Sequence, residues 1–168
     1  VKLSENLTIP ASAADAAAMY ADESYAEVRR ATLRASSASS RVEGDSAGAF
    51  TVRTEIAMTT EKVPDVARRF VGATVTIREE QVWSAPAADG ARTGTMSIDV
   101  AGTPATFTAA LALTPQGEAT SQVVIDGDLT VKVPLLGGKL EKTAVPYVSK
   151  VLRAEERAAR TYQDSRTR

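Results

Sequence analysis

From residue 36 to residue 133 the chain is written mostly in period two, the repeat of a strand with one buried face. Phe50, Val52, Ile56 and Met58 share one side, with Arg53 and Glu55 on the other. Val75, Ile77 and Trp83 share a side, as do Met96, Ile98 and Val100. Phe107, Ala109, Leu111 and Leu113 alternate with Thr106 and Thr108, and Val123 and Ile125 lead through Gly127 to Leu129, Val131 and Val133. Turn signals at Gly44-Asp45, Asp89-Gly90, Ala101-Gly102 and Pro115-Gln116-Gly117 separate these runs, so the strands form an antiparallel meander. One face is apolar and needs a cover. Gly127 reads equally as a local bulge or as a bend that curls the sheet.

Residues 2–9 carry Leu3, Leu7 and Ile9 on one side and end at Pro10, which predicts a first strand. Ser12, three residues before Asp15, starts a short helix, and a second carries Tyr25, Val28 and Leu33. The segment EKVPDVARRFVG (61–72) is too long for a tight hairpin; Pro64 and Gly72 frame a helix of one or two turns. Near the end, Leu140, Ala144, Tyr147, Val148, Val151, Leu152, Ala159 and Tyr162 recur at helical spacing. A helix over 139–162 is about 36 Å long, enough to span the sheet. Gly137-Gly138 is expected to supply the backbone freedom for the reversal from strand to helix. Pro146, inside the helix, predicts a kink or a break. One domain over 1–162 with a frayed tail at 163–168 follows.

Composition narrows the chemistry. The chain has 168 residues, no cysteine, no histidine and a net charge of −1, with 20 basic and 21 acidic side chains. Disulfides, thiolate or imidazole catalysis and Cys/His metal sites are excluded. The charge balance and the sparse aromatics offer no nucleic-acid footprint. VKLSENLTIP lacks an apolar core, so no signal peptide is expected, and no apolar run reaches the ~18 residues of a membrane span. A cytoplasmic protein that does not span a membrane is the expectation, with its oligomeric state open.

The order strand, two short helices, antiparallel meander, long helix resembles that of the START-like, Bet v 1-like helix-grip proteins of the SRPBCC superfamily. DGDLTVKVPLLGGKLEK (126–142) closely resembles the C-terminal signature of an uncharacterised bacterial family of these proteins, and LTIPASAADAAAMYADESY resembles their opening strand and helix pair. The resemblance implies an α+β fold in which a curved sheet of about seven strands grips the C-terminal helix on its concave face, with an apolar cavity between them. It implies no catalytic residue, cofactor or metal.

Gly137-Gly138-Lys139 is no phosphate loop, since Leu140 stands where the magnesium-binding hydroxyl belongs and Pro134 where the leading glycine belongs. Glu79 and Gln81 share parity with Ile77 and Trp83; a bulge or register shift that turns Glu79 outward is the preferred reading, because a buried carboxylate is costly unless paired. Glu155 and Glu156, near Arg153, Arg157 and Arg160, read as a solvated helix face with ion pairs such as Glu156–Arg160. Arg68-Arg69 reads as a solvent edge. Phe50, Met58, Ile77, Gln81, Trp83, Ile98, Phe107, Leu111, Tyr147 and Val151 are the candidate cavity wall, with ordinary core as the competing reading for each.

Binding of a hydrophobic small molecule or lipid is therefore the expected function. Two alternatives stay open. One is an enzyme of the polyketide-cyclase kind, working through Glu79, Gln81 or Tyr147 in the same pocket. The other is a protein-interaction module using the sheet face or the helix.

Overall fold

The computed structural model describes residues 1–61 and 63–166, with the side chains of Val66 and Phe70 excepted. Seven antiparallel strands form one sheet: β1 (Lys2–Ile9), β2 (Ser37–Gly44), β3 (Phe50–Thr59), β4 (Thr74–Trp83), β5 (Arg92–Val100), β6 (Ala105–Pro115) and β7 (Ser121–Val131). Their spatial order is β1-β7-β6-β5-β4-β3-β2, the meander with the first strand returned to its end. Helices α1 (Ala13–Tyr20) and α2 (Tyr25–Leu33) follow β1, α3 (Asp65–Val71) joins β3 to β4, and α4 (Gly137–Arg166) packs against β1, β7 and α2. Strand order and helix placement match the helix-grip arrangement that the resemblance implies. No described helix is long and apolar enough to cross a membrane.

The sheet curves where small residues let neighbours close in. Gly127 pairs in unbroken register with Leu3 on one side and Ala109 on the other, so it is no bulge. A Cβ there would stand 2.4 Å from the Thr108 carbonyl oxygen and 2.8 Å from Cζ of Phe107; only glycine admits that ring. Gly94 does the same beneath Trp83, whose ring carbon would lie 3.1 Å from an added Cβ.

Each edge strand has one amide bonded by a side chain from a helix or the turn before one. The Thr8 amide of β1 donates to Glu156 at 3.4 Å and the Val42 amide of β2 donates to Glu23 at 3.1 Å. Each bond satisfies an edge group that would otherwise invite pairing with another chain. Glu156 thus serves the sheet edge, where the sequence suggested a pair with Arg160. Arg68-Arg69 lies at a solvent edge as expected, and Arg68 also donates to the carbonyls of Thr60, Glu61 and Val63, tying α3 to the end of β3.

The turn into α4 corrects one expectation. The left-handed residue is Leu135, at φ 68°, and neither glycine of the pair adopts positive φ. Gly137 is needed for closeness instead, since a Cβ would meet the Val131 carbonyl oxygen at 2.5 Å. Nor does Pro146 break the helix: α4 runs continuously from Gly137 to Arg166. Pro146 faces solvent, the side of a helix on which a carbonyl without its backbone donor is least costly. Residues 163–166, expected to fray, continue the helix, and Arg166 pairs with Asp22. Thr167 and Arg168 lie outside the described residues.

Candidate functional site

Two inward positions of β4, Glu79 and Gln81, are polar, between apolar Ile77 and Trp83 on the same face. Trp83 Nε1 donates to Gln81 Oε1 at 2.9 Å, and Gln81 Nε2 donates to Glu79 Oε1 at 3.0 Å. Glu79 then receives both terminal nitrogens of Arg29, from α2, at 2.9 and 3.1 Å. Across the interior Glu155 of α4 brings Oε1 to 3.9 Å from Arg29 Nε, an ion contact without a hydrogen bond. Exposure is 7% for Arg29, 5% for Glu79, 2% for Gln81 and 4% for Glu155, so the whole cluster is buried.

The sequence pattern favours an outward Glu79. The structure turns it inward because β4 keeps regular register on both sides, Glu79 lying opposite Thr54 and opposite Ile98. The partner that makes this tolerable is Arg29, one helical turn after Tyr25 on the buried face of α2. Glu155, expected on a solvated face, stands three residues after Leu152 and four before Ala159, within the buried stripe of α4. That spacing is visible in the sequence; the missing signal is an interior cation.

One guanidinium now faces two carboxylates. Burial, reinforced by the charge of Glu79 and opposed by Arg29, pushes the Glu155 carboxyl up to about 7. Burial weakens the proton hold of Arg29, but Glu79 and Glu155 outweigh it and keep the guanidinium charged. The hydroxyls of Tyr20 and Tyr25 have no protein partner, and burial with Glu155 nearby raises both well above the usual phenol range. Tyr20, Tyr25, Arg29, Glu79 and Gln81 share a cavity of about 10 Å³, the size of one water. Tyr20 also stacks on Trp83, ring centres 5.5 Å apart. No group of three or more acidic side chains among the described residues is placed to hold a metal ion.

The two ends of the sheet's inner face are unlike. At the end where α1 and α2 lie, Phe50, Trp83, Leu113 and Ile9 are buried. Arg92 seals that end, donating to the carbonyls of Gly48 at 2.8 Å, Ser84 at 3.1 Å and Ser46. At the opposite end α4 begins, held by the Val131 amide donating to Glu141 at 3.0 Å. There the inward residues Met58, Val75, Ile77, Ile98 and Val100 remain partly exposed.

The expected wall residues divide accordingly. Phe50, Trp83, Phe107 and Leu111 are buried in packed core, and Gln81 belongs to the polar cluster. Met58, Ile77, Ile98 and Val151 are half-buried at the open end. Tyr147 is 42% exposed on α4.

No curated protein matches the chain in sequence. Among solved structures it is similar to TTHA0849 from Thermus thermophilus, at 17% identity and a TM-score of 0.59 over 96% of this chain and 99% of that one. It is also similar to the Zhui aromatase/cyclase from Streptomyces sp. R1128, at 15% identity and a TM-score of 0.59 over 100% and 96% of the two chains. A START superfamily protein from Mycobacterium smegmatis follows at 13% identity and a TM-score of 0.55, over 96% and 98%. These likenesses establish the architecture. Residues 4–162 match the family described as protein of unknown function DUF2505, and it is to this family, START-like in fold, that the chain belongs.

Proposed function

We infer that the chain binds a hydrophobic small molecule or lipid between the open half of the concave face and the first half of α4. The observation that carries this reading is the set Met58, Ile77, Ile98, Val148 and Val151, inward-facing yet half-wet. Leaving apolar area in water costs roughly 25 cal/mol per Å², a cost that a ligand removes. The helix-grip resemblance implies a ligand space in the same place. Because the cavity beside the Arg29–Glu79 pair holds only about 10 Å³, the ligand enters by displacing α4 from the sheet.

Native mass spectrometry after exposure to a lipid extract tests this. The expected result is a retained adduct that Ile77→Trp, which fills the open end, removes while the fold persists. Recovery of bare protein from every extract overturns the reading.

A second reading, acid–base catalysis of the cyclase kind, is supported by one observation: Glu155 is buried with Oε1 3.9 Å from Arg29, beside the Arg29–Glu79 pair, where burial raises its carboxyl. On this reading Glu155→Gln retains ligand and loses turnover of a poly-β-carbonyl substrate. Unchanged turnover in that variant, or none in the parent, rejects it.

A further inference from the structure

We propose that the surface where β7 gives way to α4 docks on an anionic lipid bilayer, with Leu135 entering the acyl layer and Lys132, Lys139, Lys142 and Lys150 meeting the headgroups. This goes beyond the ligand reading and stands without it.

Leu135 is the most exposed large apolar side chain described, fully in water, and its backbone sits at φ 68°. A leucine in left-handed conformation that touches nothing gains nothing within the protein. One exposed leucine needs no explanation by itself; its surroundings supply one. Four of the chain's six lysines fall within residues 131–150, against a single acid, Glu141. Glu141 is turned inward to the Val131 amide, while all four lysines are exposed and none makes an ion pair among the described residues. The stretch therefore carries a net +3 on a protein of net −1. Lys139, Lys142 and Lys150 follow the outer side of the first four turns of α4, with exposed Tyr147 among them.

An apolar tip beside a helix lined with ammonium groups fits a surface that is anionic outside and apolar beneath. A nucleic acid would use the lysines and leave Leu135 in water. A bilayer uses both, and Tyr147 suits the headgroup level. The same end of the molecule carries the partly exposed inner residues.

The test is co-sedimentation of the full chain with vesicles of phosphatidylcholine alone and of phosphatidylcholine with 30% phosphatidylserine, at 0.1 M and 0.5 M salt. Binding to the anionic vesicles only, weakened at high salt, is expected. Each lysine changed to Gln should lower vesicle affinity about fivefold. Leu135→Asn, which suits the left-handed position and keeps the fold, should lower it without reducing thermal stability. Equal recovery with both vesicle types overturns the proposal, as does unchanged binding by the Lys139→Gln/Lys142→Gln and Leu135→Asn variants. Saturation of the Gly138–Lys142 amides by inorganic phosphate without vesicle binding overturns it in favour of a soluble anion. Retention on an acidic protein but not on anionic vesicles overturns it in favour of a protein partner.

Discussion

Arg29 on α2 and Glu79 on β4, 50 residues apart, meet through two hydrogen bonds of 2.9 and 3.1 Å in the buried centre of the molecule. Such a pair resists the loss of one member more than the loss of both. Arg29→Met strands Glu79 and Glu155 together and should cost about 3–5 kcal/mol in urea unfolding. Adding Glu79→Leu should restore part of that loss. A double variant less stable than Arg29→Met contradicts the pairing.

Glu155 predicts how stability varies with pH. Its folded value of about 7 lies above the ordinary 4.5, so between these the folded state binds more protons than the unfolded one. Its contribution is therefore most favourable below about pH 4.5 and is lost as pH rises through 7. Wild type should lose on the order of 1–3 kcal/mol relative to Glu155→Gln between pH 5 and pH 8. Parallel stability curves for the two proteins would remove the buried-carboxyl assignment.

Two glycines should respond in opposite directions. Gly127→Ala drives a methyl against the Thr108 carbonyl and the Phe107 ring, and should destabilise by about 1–3 kcal/mol. Gly138, with nothing within 4 Å of an added Cβ, should accept alanine and gain up to ~1 kcal/mol of helix propensity. Thermal melts of the two variants decide this.

Pro146 lies in unbroken helix and faces solvent. Pro146→Ala should restore the missing backbone donor and raise stability by about 1–3 kcal/mol. A lowered melting temperature would mean that the ring performs a packing role.

Strand parity and helix spacing make the architecture readable, since each depends on a repeat that one chain carries in full. Phe107, Leu111 and Leu113 announce their face by alternation alone. Glu79 and Arg29 do not, because each is explicable only by the other and they come from different elements. Glu155 is half-visible: its place in the helical stripe is plain, and its charge argues for the wrong side. Leu135 shows the reverse, a residue whose type suggests core and whose backbone puts it in water. The Gly137-Gly138 pair suggests the hinge, but the reversal falls two residues earlier.

The pairing of β1 with β7 has a consequence for biosynthesis. Lys2 finds its partner Asp128 only after 126 further residues have been made, roughly 6–25 s of translation. Throughout that interval the opening strand has no lateral partner and the gripping helix does not yet exist. The nascent chain must therefore hold Leu3, Leu7 and Ile9 in reserve, and a chaperone that shields the first nine residues should raise the yield of folded product. Moving β1 to follow β7 by circular permutation would make this pairing local and should speed folding, with the finished architecture unchanged.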